Sequence, residues 1–420
     1  MRAFRLACLP FVASAWRTCD PLDHGATGTG LVYDTDAVRA AVDECGSAGG
    51  GTVIFSAGKT FLTGSFNVSN NTELRVDGTI LGSPNNTGYV LMDYLSWYGP
   101  DPPQKIFRDA AGMPADTREW SPFIGSWYSS NISITGSGVI DGNGQSWWQC
   151  ASNMTRAPCS GYPRPHGIRF VGGEGFFISG VTIQNSPMWQ VHLAWVSNAH
   201  VHDVRILAPA QDGHNTDGID PDCAQNVLIE RVYISTGDDC IAIKSGRDWF
   251  GRTYGRTAKN ITVRDSVFGT GHGLSVGSEM SGGVADVLFY NLTANGISTG
   301  PRLKSERGRG GLVTNVTWMD ITLTGAGEVV QITDNYDPGL PPTNATATPR
   351  FENISIIGLH SVNASTGWFL DGLPESPIRG LLLQDVIIDG TTNLIKKCDY
   401  VDTATATCTG VSPSCPPCVT

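Results

Sequence analysis

Five aspartates lie close together in the stretch His214 to Gly246, HNTDGIDPDCAQNVLIERVYISTGDDCIAIKSG. They are Asp217, Asp220, Asp222, Asp238 and Asp239. Carboxylates this close repel one another, so one or more must stay protonated, bind a cation or face basic groups. Aspartate is also a common turn residue whose side chain bonds its own backbone. That second interpretation stays open for Asp220 and Asp222.

The elements that must position these acids follow a short repeat, in which an Asn or similar residue precedes two apolar-x-apolar runs. Its later copies start 26 to 38 residues apart, at Asn226, Asn260, Asp286, Asn315, Asn353 and Gly380. Each copy is too short to bury its own apolar face and must stack on its neighbours. The pattern predicts an all-β, single-domain, right-handed parallel β-helix. The alternative, a β-sandwich, needs hairpin turns every ~8–12 residues, and these are largely missing from the sequence.

One helix is predicted, ahead of the repeats. Thr35 is its expected cap, Gly46 its end, and Val38, Ala41, Val42 and Cys45 share one face. A short N-terminal helix of this kind can cover the open hydrophobic end of a β stack.

Four successive repeats carry a polar residue of functional type at about the same phase. Asp238 lies 11 residues after Val227, and His272 lies 11 residues after Ile261. Asp217 and Arg302 occupy similar positions in the coils before and after. Stacked coils rise ~4.8 Å each, so the spacing predicts one cluster of interacting side chains.

These residues also resemble a known family. NTD at 215–217, DD at 238–239, GHG at 271–273 and RLK at 302–304 are similar, in order and spacing, to the four signatures of the polygalacturonases of glycoside hydrolase family 28. The last signature is usually RIK, and Leu303 is an apolar replacement. GDDCIAIKSG and GSEMSGGV look most like the plant polygalacturonase-like and the bacterial exo-acting branches.

The resemblance implies inverting hydrolysis of α-1,4-galacturonosyl bonds in de-esterified pectin, with no metal and no other cofactor. It makes Asp238 the general acid, while Asp217 and Asp239 hold and deprotonate the attacking water. His272 would hydrogen-bond the acid and tune it. Inversion needs acid and base carboxyl groups roughly 6.5–9.5 Å apart, which adjacent coils can supply.

Basic and amide residues complete the expected site. Arg302 and Lys304 alternate with Leu303, so both can face the groove and bind a galacturonate carboxylate. Asn215 is expected to align substrate or water. Lys244, Arg307 and Arg309 are interpreted as ordinary surface charges.

Composition limits the partners and the compartment. The net charge of -11 argues against nucleic acid or an anionic membrane, and a monomer is expected. Residues 1–15 look like a signal peptide, which predicts a secreted, extracellular protein. The catalytic β-helix is placed at 16–395 and a Cys-rich tail at 396–420. Eleven sequons agree with secretion, although several of their Asn residues belong to the repeat.

Removal of the signal would take Cys8 with it and leave ten cysteines, an even number. The expected disulfides are Cys19–Cys45, Cys150–Cys159, Cys223–Cys240 and two among Cys398, Cys408, Cys415 and Cys418.

Three alternatives compete with a polygalacturonase. A pectate lyase would use aspartates for calcium and an Arg base, but the DD, GHG and RLK motifs favour hydrolysis. A rhamnogalacturonan hydrolase usually departs at the His or basic motif, and this chain keeps both. A non-catalytic carbohydrate-binding β-helix would be favoured by loss of a motif residue, and none is lost.

A long, weakly periodic stretch at 89–128 interrupts the repeats. It carries Tyr94, Trp97, Tyr98, Trp120, Phe123, Trp127 and Tyr128. Insertions of this length are usually functional or disordered. Beside the groove, this segment could close one end and produce exo cleavage, while a surface flap that packs its aromatics is the simpler alternative.

Overall fold

The repeats form short strands that pair with the equivalent strands of neighbouring coils. The computed structural model describes residues 16–98 and 118–419. Val227 lies beside Ile261, which lies beside Val287, and these ladders are parallel. The result is the predicted all-β, right-handed parallel β-helix.

The strands belong to two long sheets and one small antiparallel pair. The first sheet has 21 strands: β1 (Arg17–Cys19), β2 (Thr29–Tyr33), β3 (Gly51–Phe55), β4 (Thr60–Thr63), β6 (Thr72–Val76), β7 (Thr79–Gly82), β11 (Ile132–Thr135), β12 (Val139–Asp141), β14 (Glu174–Ser179), β15 (Thr182–Gln184), β17 (Ser197–His202), β18 (Arg205–Leu207), β20 (Gln225–Glu230), β21 (Tyr233–Ser235), β23 (Ala258–Phe268), β25 (Val284–Asn295), β27 (Leu312–Thr324), β29 (Arg350–Val362), β31 (Arg379–Gln384), β32 (Ile387–Asp389) and β34 (Thr407–Thr409).

Within the described residues the second sheet has 11 strands, and the predicted site residues lie along its outer face. They are β5 (Phe66–Asn67), β10 (Ile124–Trp127), β13 (Ile168–Val171), β16 (Val191–Ala194), β19 (Ile219–Asp222), β22 (Ile241–Ile243), β24 (Leu274–Gly277), β26 (Pro301–Lys304), β28 (Glu328–Thr333), β30 (Thr366–Asp371) and β33 (Asn393–Asp399). The antiparallel pair is β8 (Leu91–Asp93) with β9 (Arg118–Trp120). Helices are α1 (Thr35–Ser47), α2 (Gln145–Trp148), α3 (Asp248–Tyr254) and a 3₁₀ turn at Pro21–His24.

The core runs along the axis of the stack as ladders of inward-facing side chains. Val263, Phe289, Trp318 and Ile356 follow one another across four coils and are fully buried. The rings of Phe289 and Trp318 stack with centroids 5.2 Å apart. Each coil therefore buries its apolar face on the next one, as the repeat requires.

Helix α1 covers the open end of the stack. Its predicted face, Val38, Ala41, Val42 and Cys45, is buried. The predicted boundaries were wrong by one residue, because the helix follows Asp34 and ends at Ser47 rather than Gly46.

The disulfides Cys19–Cys45 and Cys150–Cys159 are present, and the tail is linked by Cys398–Cys418 and Cys408–Cys415. The tail begins inside the stack, since β33 crosses residue 395 and pairs with β30.

The predicted Cys223–Cys240 disulfide was wrong, and both thiols are free and buried. β19 and β22 pair in parallel with Ile219 beside Ile241. Cys240 thus lies level with Gly218 at one end of β19, whereas Cys223 follows the other end. Five residues of strand separate them by about 16 Å, and Cα atoms more than about 7 Å apart cannot be bridged.

Within the described residues no helix is long and apolar enough to cross a membrane. The predicted signal peptide lies outside those residues.

Candidate active site

The predicted site residues lie on the outer face of the second sheet, in four consecutive coils. They come just before or within β19, β22, β24 and β26, whose strands pair in parallel. Equivalent positions of these coils fall on one line, which brings together Asn215, Asp217, Asp238, Asp239, His272, Arg302 and Lys304.

Asp239 is held as a carboxylate by two cations. Arg302 Nη1 lies 2.9 Å from one of its oxygens and Lys304 Nζ lies 2.7 Å from the other. Ser275 Oγ also donates to it at 2.7 Å. Burial would raise the pKa of Asp239, but the charges of Lys304 and Arg302 outweigh it and lower that pKa well below its ordinary value. Asp239 therefore stays ionised and can accept a proton.

Asp238 faces the groove and belongs to a different network. His272 Nδ1 lies 2.9 Å from its Oδ1, and Asn215 Nδ2 donates to its Oδ2 at 3.4 Å. The backbone N–H of Asp239 donates to Oδ1 at 2.8 Å. The hydrogen bond to Asp238 raises the pKa of His272. A proton is thus available to this pair at the surface of the groove.

Asp217 is buried and only weakly compensated. Its Oδ2 lies 3.5 Å from Lys244 Nζ, and its Oδ1 has no hydrogen-bond partner among the described residues. Burial, assisted by the negative charge of Asp238, raises the pKa of Asp217 to about 8. The pKa values of the two acids are therefore shifted in opposite directions. Asp217 holds a proton near neutral pH, whereas Asp239 does not. The resemblance had given both residues the same role.

The three carboxyl groups have oxygens close enough to share one water. One oxygen from each of Asp217, Asp238 and Asp239 lies within 4.8 Å of the others. Hydrogen bonds between oxygens measure roughly 2.5–3.0 Å, so a single water fits between two of these atoms.

Gly237 lets the two adjacent aspartates take their positions, for a reason the sequence did not reveal. A Cβ on Gly237 would lie 2.4 Å from the carbonyl oxygen of Gly213 and 2.6 Å from that of Pro209. The chain can pass this point only without a side chain.

Lys244 was wrongly interpreted as a surface charge. It is buried, with Nζ 3.3 Å from Glu279 Oε2 and 4.4 Å from the centroid of Trp189. The alternation of β22 points to this position, since Ile241 and Ile243 face the core and Lys244 follows them on the outer side.

Arg307 and Arg309 are mostly buried as well, and both form ion pairs. Arg307 binds Glu375, and Arg309 binds Asp248 and Glu306.

Arg164 is a site residue that sequence reasoning missed. It is 5% exposed, and its Nη2 donates to Asn215 Oδ1 at 2.7 Å. Its Nη1 donates to the carbonyl oxygens of Pro187 and His214. Arg164 therefore orients Asn215, whose amide nitrogen turns towards Asp238. No motif marks it, because it lies more than fifty residues away in sequence.

Tyr336 is a second residue that was missed. Its hydroxyl lies 3.4 Å from Arg302 Nη2, and Lys304 Nζ lies 5.5 Å from its ring centroid. Tyr336 therefore packs against both members of the basic pair.

Asp220 and Asp222 are strand residues, not turn residues. Asp222 accepts hydrogen bonds from Trp97 Nε1 and the backbone of Gly246, and lies 3.0 Å from His192 Nε2. Asp220 is fully buried, and neither of its oxygens has a partner among the described residues. Burial raises the pKa of Asp220 well above its ordinary value, and Asp217 adds to this.

The three acids could by type ligate a cation. Both oxygens of Asp239 are already bound by Arg302 and Lys304, and Lys244 lies against Asp217. These amines and the guanidinium supply the positive charge that a divalent ion would otherwise bring, so the donor set fits a metal poorly.

A cleft of about 120 Å³ opens beside Asn215, on the side of the earlier coils. Its lining includes Tyr98, Arg164, Trp189, Asn215 and Glu279.

The stretch at 89–128 contributes to this cleft, although 99–117 lie outside the described residues. Trp97 packs on Trp195 with ring centroids 4.8 Å apart. Trp97, Trp120 and Phe123 are buried, so they pack against the coils and cannot serve as sugar platforms. Tyr94 and Tyr98 line the cleft.

With this geometry established, the comparison with known proteins is decisive. Residues 113–409 match the sequence profile of the family described as Glycosyl hydrolases family 28. The chain belongs to glycosyl hydrolase family 28. Two relatives within the family are a "Probable polygalacturonase" of Vitis vinifera and a "Polygalacturonase" of Ralstonia solanacearum. The first is 32% identical over 87% of this chain and 73% of its own length. The second is 26% identical over 85% and 73%.

A solved structure matches along nearly the whole chain. It is the hyperthermoactive exopolygalacturonase from Thermotoga maritima, with a TM-score of 0.77 and 26% identity. The match covers 98% of this chain and 94% of that one. The family resemblance inferred from the four motifs is confirmed.

Proposed function

We propose that this family 28 glycoside hydrolase is an exo-acting polygalacturonase that hydrolyses de-esterified polygalacturonan with inversion. The proposal rests on one observation: the neighbouring acids contact different charged groups, next to a basic pair. Asp239 is compensated by Arg302 and Lys304, while Asp238 contacts His272 at the groove. Neighbouring carboxyl groups held in such different environments can supply an acid and a base.

In the mechanism, Asp238 donates its proton to the leaving oxygen, and His272 and Asn215 hold its carboxyl group in place. Asp239 takes the proton of the attacking water, which lies between Asp239 and Asp217. The proton on Asp217 keeps that residue from repelling Asp239 and lets it donate a hydrogen bond to the water. Expulsion of the leaving group and attack from the opposite face invert the anomeric carbon.

Recognition of an acidic polymer follows from the local charges. Arg302 and Lys304 lie beside Tyr336 and are the two cations that contact Asp239. A uronate carboxylate that approaches this pair shares it with Asp239. An acidic protein can bind an acidic chain in this way because the basic cluster is local.

Exo cleavage is supported by the position of the segment that carries Trp97. Trp97 donates to Asp222 at 3.2 Å and packs on Trp195, so this segment lies across the outer face of the earlier coils. A polymer would meet this wall soon after it passes the acids, and only a chain end fits. The exopolygalacturonase from Thermotoga maritima shares the fold over nearly the entire chain.

The experiment is product mapping together with viscometry on polygalacturonan. We expect mono- or digalacturonate released from the non-reducing end, while viscosity falls slowly as reducing ends accumulate. A steep early fall in viscosity with mixed oligomers would show endo cleavage. Faster hydrolysis of a rhamnogalacturonan backbone would favour the alternative substrate.

We also propose that the protein acts outside the cell as a monomer. Four disulfides in the described residues favour an oxidising compartment. The signal peptide at 1–15 and the division into a catalytic domain and tail remain predictions.

A further inference from the structure

The cleft beside Asn215 contains buried polar atoms without a hydrogen-bond partner in the described part of the chain. Among the described residues, these atoms are Nε and Nη2 of Arg247, the hydroxyl of Tyr98 and Nδ1 of His166. A buried donor without a partner loses its hydration without compensation. Several such atoms around one cavity indicate a polar ligand.

Arg247 differs from the other cations that line the cleft. Arg169 binds Glu119, and Arg164 donates to two carbonyl oxygens and Asn215. Arg247 forms an ion pair with Asp248, whose Oδ2 lies 3.5 Å from Arg247 Nε. This contact is not a hydrogen bond. Another cation, Arg309, binds the second oxygen of Asp248 at 2.6 Å.

The position of Arg247 is fixed from both sides. It immediately precedes α3, three residues after Lys244, and its backbone N–H donates to the carbonyl oxygen of Trp97 at 3.0 Å. Its side chain is 7% exposed. The guanidinium is therefore held at the wall of the cleft and does not sample solvent.

The chemistry of the free atoms defines the ligand. Nε and Nη2 are the two nitrogens on one edge of a guanidinium, and this edge binds a carboxylate through two parallel hydrogen bonds. The hydroxyl of Tyr98 and the ring nitrogen of His166 suit the hydroxyl groups of a sugar. A single sugar with one carboxylate and several hydroxyls satisfies all of them.

We propose that Arg247 is the residue that selects a free uronate carboxylate on the terminal sugar, with Tyr98 and His166 binding its hydroxyls. This inference rests on the proposed exo function. The basic pair Arg302 and Lys304 contacts Asp239 and does not line the cleft, so it serves the neighbouring sugar. Arg247 thus makes the enzyme require a de-esterified chain end as well as a de-esterified interior.

The test compares two substrates that differ only at the terminal sugar. They are trigalacturonate and the same trimer with a methyl ester on the non-reducing terminal carboxylate. Arg247→Met should lower kcat/KM for the acid by about 10- to 100-fold, the effect of losing a charge-assisted hydrogen bond. Its kcat/KM for the ester should change little, so that discrimination disappears. Equal losses on both substrates, or no loss on the acid, would overturn the proposal.

Arg309→Met is the matched control. Arg309 is comparably buried and also contacts Asp248, but it does not line the cleft. We expect this variant to lose thermal stability and to keep its preference for the acid. Tyr98→Phe provides a milder variant that removes only an unpaired hydroxyl, and it should weaken binding of both trimers several-fold.

Binding to the Asp238→Asn background separates this proposal from the exo function. Calorimetry with galacturonate and galactose as probes should show preference for galacturonate, and Arg247→Met should abolish it. If the wild type released mixed oligomers, the exo proposal would fail. The calorimetry would still show whether Arg247 recognises the carboxylate. If galactose bound as well as galacturonate, the cleft would hold only water at Arg247 and the inference would be wrong.

Discussion

Three carboxyl groups from neighbouring positions behave differently because each meets a different set of charges. Asp239 contacts two cations, Asp238 contacts an imidazole and an amide, and Asp217 contacts one distant ammonium. Protonation at this site is therefore decided by individual contacts and not by the number of acids nearby.

Substitution of the proposed acid tests its role directly. Asp238→Asn removes the donated proton but keeps the size of the side chain, so turnover should fall about 10²–10⁴-fold. Oligogalacturonate binding should persist, as measured by calorimetry. A folded variant that loses less than about tenfold would exclude Asp238 as the general acid.

The contact between His272 and Asp238 predicts a pH dependence. The pKa of His272 is raised by Asp238, so the pair stabilises the fold fully below the ordinary histidine pKa of about 6.5 and loses this contribution as pH rises through the raised value. Asp239 and Arg302 also face the ring and act in opposite directions. Wild-type kcat/KM should decline over the same range.

His272→Gln should remove this pH dependence. Its melting temperature should change less than that of the wild type between about pH 6 and pH 8. The alkaline limb of the kcat/KM profile should move, while the acid limb stays in place. An unchanged alkaline limb in a folded variant would contradict the role assigned to His272.

At the scale of the element, the repeated Asn residues fix where each coil turns. Asn198, Asn226 and Asn260 all have positive φ near 56–58°. Their side chains form a ladder in which Asn226 Nδ2 donates to Asn198 Oδ1 at 3.0 Å and Asn260 Nδ2 donates to Asn226 Oδ1 at 2.8 Å. Asn is favoured because it tolerates this backbone conformation and also links adjacent coils.

Asn226 is suited to a test because it is not a glycosylation sequon. Asn226→Ala loses the ladder and places a methyl group at positive φ, which costs about 1–2 kcal/mol. Asn226→Gly loses the ladder alone. We expect a lower free energy of unfolding for both variants, with the larger loss for alanine, measured by denaturant titration. Equal losses would show that backbone strain is unimportant at this turn.

At the scale of the whole molecule, stacking makes the site and the core inseparable. Inward-facing residues such as Ile241 and Ile243 bury each coil, and Lys244 follows them on the outer face of the same strand. A shift of register would move every functional residue to the wrong face. The terminal disulfides and α1 close the two ends of this stack.

The parallel register also predicts the thiol content. Alkylation of the unfolded, unreduced protein should label Cys223 and Cys240, and the native protein should label neither because both are buried. A fully reduced sample is the control and should label all ten cysteines from Cys19 to Cys418. Recovery of a peptide that links Cys223 to Cys240 would contradict the register of β19 and β22.

Local sequence patterns were enough to predict the β-helix, the capping face of α1 and the members of the acidic and basic cluster. Strand alternation assigns each residue to a face, and a repeat of nearly constant phase places Asp217, Asp238, His272 and Arg302 together. Both signals are local, so they can be read along the chain.

Only the stacked coils show which groups form ion pairs and which buried atoms lack a hydrogen-bond partner. Arg164 reaches Asn215 across 51 positions, and Lys304 reaches Asp239 across 65. The predicted Cys223–Cys240 bond failed for the same reason, since nearness along the chain does not give nearness in a stack of coils. Coulomb energies and desolvation depend on distances of a few ångströms and on burial, and these are set only when the coils are stacked.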